Sequence, residues 1–184
     1  AAHLINQLLV LARAEASHEK IHAVEPLDLL RLVRRVAQDW VPRAMAKGID
    51  LGFEAEETPV YMEGVPLLLG ELLANLIDNA IKYTPAGGTV TVRLLASPEQ
   101  IRIEVEDTGC GVPEGDRERV FERFYRVLGL EADGSGLGLP IVREIAELHR
   151  GRVWLDVAPG GQGSLVVVAF PRDVSRNPSE LPDL

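Results

Sequence analysis

The chain has one cysteine, Cys110, in 184 residues. That excludes an internal disulfide and suits a reducing compartment. It also lacks a basic surplus: the formal net charge is −9, whereas nucleic-acid binders carry excess positive charge, so no nucleic-acid partner is expected. No apolar run is long enough to span a bilayer, and no signal-peptide pattern opens the chain. No internal repeat is visible either. What remains is ordinary for a globular domain, with 46% hydrophobic and 26% charged residues. The length allows one full domain with an appended helix.

The elements follow from periodicity and punctuation. Leu4, Leu8 and Leu11 stand at helical spacing, with Ile5 and Leu9 widening the stripe, and nothing upstream to cover it. This start in mid-helix reads as a piece of something longer. Residues 18–27 read as a connector leading into a short first strand. Asp28 is a fitting N-cap for a helix to about Lys47, stopped by Gly48. Short strands are expected at 49–53 and 60–62, around a polar turn. Pro66 suits the first position of the next helix, which Thr84-Pro85 ends. Alternation over 89–95 and 100–106, across Ser97-Pro98-Glu99, predicts a hairpin. A short helix within 112–125, a loop at 127–133 and a helix from about Leu139 to His149 follow. Two last strands, 152–157 and 164–170, flank a glycine-rich turn. The proline- and charge-rich tail, 172–184, is predicted to be disordered. This order predicts an α/β fold: a two-layer sandwich whose mixed, largely antiparallel sheet is covered by helices on one face. One long helix, residues 1–17, precedes the linker and first strand at 18–27, and the domain proper covers 28–171.

Three segments carry chemistry. In ELLANLIDNAIKYTP (71–85), Asn75, Asn79 and Lys82 share one helix face, flanked by Glu71 and Asp78; Leu69, Leu73, Ile77 and Ala80 share the other. Taken alone, the polar face is an ordinary solvated one. As a site, an asparagine oxygen is a hard ligand suited to Mg²⁺, and lysine offers a point charge to phosphate. In DTGCG (107–111), Asp107 ends an apolar strand and Gly109 and Gly111 follow. That is common strand-exit chemistry. A carboxylate fixed there can also accept a hydrogen bond from the adenine amine, where guanine presents a repelling carbonyl. In GSGLGL (134–139), Gly134, Ser135, Gly136, Leu137 and Gly138 run into a helix. They are either a flexible cap or an anion site of bare amides. The segment is not a P-loop, because no GK[ST] closes it, and not a dinucleotide fingerprint, because it follows a loop. Between the glycine segments, Phe121, Phe124 and Tyr125 read as core, and Arg123 and Arg126 as cations within reach of phosphate.

In this order the segments resemble the ATP-binding domain of sensor histidine kinases, within the wider family shared with gyrase, the Hsp90 chaperones and MutL. ELLANLIDNAIKYTP is similar to the N box, DTGCG to the G1 box, VFERFYR (120–126) to the F box and GSGLGL to the G2 box. The resemblance continues through ELHRGRVWLDVAPGGQGSLVVVAFP (147–171). Residues 4–16, LINQLLVLARAEA, resemble the second helix of the dimerisation hairpin. The resemblance implies ATP and Mg²⁺ as cofactors, with Asn79 on the ion and Asn75 and Lys82 at the phosphates. Asp107 would read the adenine amine, Tyr83 would lie near the base, and residues 134–138 would hinge a lid over the triphosphate. It implies transfer of the γ-phosphoryl group to a histidine and onward to an aspartate of a response regulator. It further implies a homodimer through the hairpin helix, within the cytoplasmic portion of a membrane-anchored, inner-membrane bacterial sensor.

Two features depart from the family pattern. The lid, 127–133, is short and has no basic residue, so a γ-phosphate contact falls to Arg123 or Arg126. The first hairpin helix, with its phosphoacceptor histidine, is not in the chain. His18 follows Ser17 as in the acceptor motif, but Lys20, Ile21 and His22 break that motif; His3, His22 and His149 also lack its neighbours. Three other functions compete. An ATP hydrolase of the gyrase or MutL kind would carry a glutamate one turn before the metal-binding asparagine, where this chain has Asn75, which cannot act as a base. A nucleotide-insensitive dimerising scaffold would have no need of Asn79, Asp107 and the glycines. An anti-sigma-type serine kinase would not need the N-terminal hairpin helix.

Overall fold

The computed structural model describes residues 24–127 and 135–172. The expected helix at 1–17, His18, most of the lid, Gly134 and the tail beyond Arg172 lie outside the described residues.

The first described elements are strand β1 (Glu25–Asp28) and helix α1 (Leu29–Lys47). Asp28 caps α1 by accepting the Arg31 N–H at 3.2 Å, and Gly48 closes it through bonds to the Ala44 and Met45 carbonyls. Then come β2 (Asp50–Ala55), β3 (Tyr61–Gly64), α2 (Pro66–Tyr83), β4 (Thr89–Ala96) and β5 (Gln100–Asp107). After the F-box region, α3 (Gly138–Leu148), β6 (Arg152–Val157) and β7 (Ser164–Pro171) complete the described chain. Among the described residues, no helix is long and apolar enough to cross a membrane.

The main sheet has the order β2-β4-β5-β7-β6. β2 runs parallel to β4 and every other pairing is antiparallel, including the expected β4–β5 hairpin. A parallel pair needs a long crossover, and β3 with α2 supplies it. β2 and β3 therefore do not pair, although they are neighbours in sequence; β3 instead forms a separate ladder with β1.

Alternation divides the sheet into two faces. Val90, Val92, Leu94, Ile101, Ile103, Val105, Val166, Val168 and Phe170 are buried on one face. Arg93, Arg102, Glu104 and Glu106 occupy the other, where Arg93 bridges Glu54 and Glu106. Helices cover the apolar face, and Leu69, Leu73, Ile77 and Ala80 of α2 are buried in the core, as their spacing predicts. This is the expected two-layer sandwich.

Two local expectations fail. The helix expected within 112–125 is a pair of short 3-10 turns, Glu114–Asp116 and Arg119–Phe121. Pro113 and Gly115 interrupt the segment, and too few apolar residues recur to pay for nucleating a helix. The aromatic cluster also divides. Phe121 is buried, but Phe124 is 68% exposed, because its backbone bonds to the glycine segment (N–H to the Gly136 carbonyl, 3.0 Å) and turns the ring outward.

Candidate nucleotide site

Asp107 stands on β5, the middle strand of the sheet, and its side chain is on the face that the helices cover. The register sets Ser164 of β7 opposite it. The Asp107 Oδ1 accepts the Gly109 N–H at 2.8 Å and the Ser164 N–H at 3.3 Å. Burial pushes the Asp107 carboxyl up, and the bonds from Gly109 and Ser164 act against that rise. Two glycines permit the arrangement. A Cβ on Gly109 would stand 2.5 Å from the Tyr83 carbonyl oxygen. A Cβ on Gly163 would stand 1.8 Å from the Asp107 carbonyl oxygen, at a φ of +92°.

In front of Asp107 is a cavity of about 740 Å³. One wall is α2, with Asn75, Asn79, Lys82 and Tyr83. The start of α3 lines it too, with Ser135, Gly136 and Gly138, the last meeting α2 at Asn75, and Gly111, Tyr125 and Arg126 contribute from the loops. Asn75 is buried, its amide donates to the Glu71 carbonyl at 2.8 Å, and its Oδ1 lies 3.3 Å from where a Cβ on Gly138 would be. The Lys82 ammonium lies 5.0 Å from the centre of the Tyr83 ring. Burial raises the Tyr83 hydroxyl pKa, and the nearby Arg126 charge opposes the shift.

Not every expected residue lines this cavity. Arg123 pairs with Glu144 of α3 and is not on the cavity wall, whereas Arg126 is. Leu137 is buried in the core. Gly109 lines an adjoining groove of about 330 Å³ with Cys110, Lys47 and Lys82. Gly134 lies outside the described residues.

Sequence reasoning missed three polar lining residues: Ser164, Arg43 and Lys47. Arg43 stands 3.0 Å from Asp78 Oδ1. That is ion-pair distance without hydrogen-bond alignment, since the oxygen is buried and has no bonded donor. Ser164 was findable only through strand register. Arg43 and Lys47 form an i, i+4 pair on α1, outside every recognised box.

The cavity is lined by an acceptor at a strand end, amides near a helix N-terminus and several cations, groups whose chemistry suits a base carrying phosphates. Residues 64–174 match the model of the histidine kinase-, DNA gyrase B- and HSP90-like ATPase family. The chain belongs to that family. It is 38% identical to the sensor protein kinase PmrB of Pseudomonas aeruginosa, over 98% of this chain and 38% of that protein. It therefore spans well under half of that relative's length. Among solved structures, the mycobacterial sensor histidine kinase MprB is 32% identical with a TM-score of 0.71, over 81% of this chain and 97% of that one. Full-length ShkA in complex with AMPPNP is 33% identical with a TM-score of 0.78, over 92% of this chain and 35% of that one.

Proposed function

We propose that the chain is the ATP-binding catalytic portion of a sensor histidine kinase. The observation that carries this reading is the cavity itself. Asp107, Asn79, Lys82, Arg126 and the start of α3 line it together, in a family whose relatives are named as sensor kinases.

In this reading the Asp107 carboxylate accepts the adenine amine, and burial strengthens that bond by excluding water. Lys82, Arg126 and the N-terminus of α3 neutralise the phosphates. Mg²⁺ fits as an ion carried by the nucleotide. Among the described residues no group of three or more His, Cys, Asp or Glu side chains could hold a metal, and Mg²⁺ uses few protein ligands beside phosphates and water. Asn79 is the residue that would hold it, and the ion would supply charge neutralisation at the phosphates. A histidine nitrogen on another segment then attacks the γ-phosphorus, the bond to the β-phosphate oxygen breaks, ADP leaves and the imidazole proton passes to solvent. Positioning and charge carry the catalysis. A response-regulator aspartate is the onward acceptor, the segment 4–16, which resembles the second hairpin helix, the dimer contact, and the parent protein a membrane-anchored sensor with this part in the cytoplasm. The hydrolase alternative is disfavoured by Asn75, buried and bonded to the Glu71 carbonyl where a general base would be needed.

The test is transfer from γ-labelled ATP. The chain should bind ATP without labelling itself, and should label a supplied hairpin that carries the acceptor histidine. Acid-labile phosphate on the chain alone, lost in His18→Ala, or phosphate release without any transfer, would overturn the proposal.

A further inference from the structure

The last turn of α2 lacks a donor that its own sequence removes. A helix leaves its final carbonyls without intrahelical partners. Thr84 serves the Ala80 carbonyl, with its N–H at 3.1 Å and its hydroxyl at 2.7 Å. The next carbonyl, that of Ile81, has no backbone donor: the chain turns extended at Thr84 (φ −86°, ψ 128°), as the following proline favours, and Pro85 carries no N–H. Another element fills the place. Lys47, the last residue of α1, sets its Nζ 2.7 Å from the Ile81 carbonyl and 2.7 Å from the Lys82 carbonyl. A cation there also meets the negative end of the α2 dipole. The chain beyond is fastened to the same corner, by Gly87 N–H to the Gly48 carbonyl at 2.8 Å and Asp50 N–H to the Gly88 carbonyl at 3.1 Å.

This turn carries Lys82 and Tyr83, both on the cavity wall. The Tyr83 carbonyl also abuts Gly109, next to the base-reading end of β5. Any shift of the turn therefore moves a phosphate-side cation and the wall beside the base together. Lys47 lines both the cavity and the adjoining groove.

We propose that Lys47 is a positioning residue of the nucleotide site. Its ammonium replaces the amide that Pro85 lacks and thereby holds Lys82 and Tyr83 in the geometry that receives the nucleotide. This rests on reading the cavity as an ATP site.

The test compares MgATP binding by calorimetry in the unaltered chain, Lys47→Met, Pro85→Ala and the double variant, at temperatures where thermal unfolding shows each to be folded. Lys47→Met should weaken MgATP about tenfold, the scale of a charge-assisted bond lost from the turn. Pro85→Ala alone should change affinity little. In the double variant no proline holds Thr84 extended, so the helix can continue one residue, give the Ile81 carbonyl the amide of residue 85 and recover part of the loss. Unchanged affinity in folded Lys47→Met would overturn the proposal, because the lysine would then be a stability cap only. A loss that Pro85→Ala does not recover would also overturn it, assigning Lys47 a direct ligand contact. Should Lys47→Met not fold, Lys47→Gln should show an intermediate loss, and full affinity there is the contrary result. Asp107→Asn, measured alongside, separates the two ideas. If neither it nor the unaltered chain binds MgATP, the nucleotide reading fails and takes the role of Lys47 with it.

Discussion

On the proposed nucleotide reading, the base end and the phosphate end of the cavity are built from different materials. At the base end, Asp107 is 6% exposed on the central strand, bonded by two backbone amides and enclosed by glycines that no larger residue could replace. At the phosphate end, Lys82 is half-buried at a helix terminus and Arg126 is exposed on a loop, next to the lid segment. The difference follows from what each end must recognise. A base is distinguished by the direction of one or two hydrogen bonds, which needs a fixed acceptor in a dry setting. A polyphosphate is recognised by charge, which tolerates mobile cations in water. Rigidity is therefore placed where geometry decides, and long side chains where charge decides.

The comparison can be broken hardest at the base end. Gly163→Ala should cost about 3 kcal/mol or more, because its Cβ would meet the Asp107 carbonyl in a backbone conformation that side chains rarely adopt. Gly160→Ala in the same turn, where a Cβ meets nothing within 4 Å, should stay within about 0.5 kcal/mol. Thermal unfolding of the two reads the contrast directly.

Asp107→Asn should remove about 1.5–3 kcal/mol of adenine nucleotide affinity while leaving tripolyphosphate binding nearly unchanged. Calorimetry with both ligands checks it. Acid should mimic the substitution, since burial raises the Asp107 pKa and protonation removes an acceptor from the base.

At the phosphate end, Arg126→Ala should cost about 1 kcal/mol toward ATP and tripolyphosphate alike. Arg123→Ala, which loses a partly exposed pair with Glu144, should change neither by more than a few tenths. Equal effects of the two arginines on affinity would show that cavity lining does not identify the phosphate cation.

The smallest effect lies away from both ends. His149, at the end of α3, accepts the Val65 N–H at 3.0 Å through Nε2, and its Nδ1 is 2.7 Å from the Ile145 carbonyl. Burial lowers its pKa. The unfolded chain therefore takes up the proton first: the neutral imidazole's contribution is whole above about pH 6.5 and declines as pH falls below that value. Melting temperatures at pH 7.5 and 5.5 should differ more for the unaltered chain than for His149→Gln.

Much of this was legible in the sequence because its signals are local. The helical spacing of Asn75, Asn79 and Lys82, the alternation before Asp107 and the glycines before α3 each lie within one element. What was not legible depends on distant pairing. Ser164 joins Asp107 across a separation of 57 residues, and only the β5–β7 register brings them together. Lys47 reaches the α2 carbonyls from another helix, though Pro85 four places after Ile81 marks the missing donor. The F-box segment misled because its aromatics suggest a core stripe, while Pro113 and Gly115 break the helix and the Gly136 contact turns Phe124 to solvent.

If base and phosphate are read at separate ends, binding of ATP, GTP and tripolyphosphate to the unaltered chain should separate the two contributions. ATP should bind more tightly than GTP by at least about tenfold, because the guanine carbonyl would face the Asp107 carboxylate, with tripolyphosphate binding weakly through the cations alone. ATP and GTP bound equally well would contradict that separation.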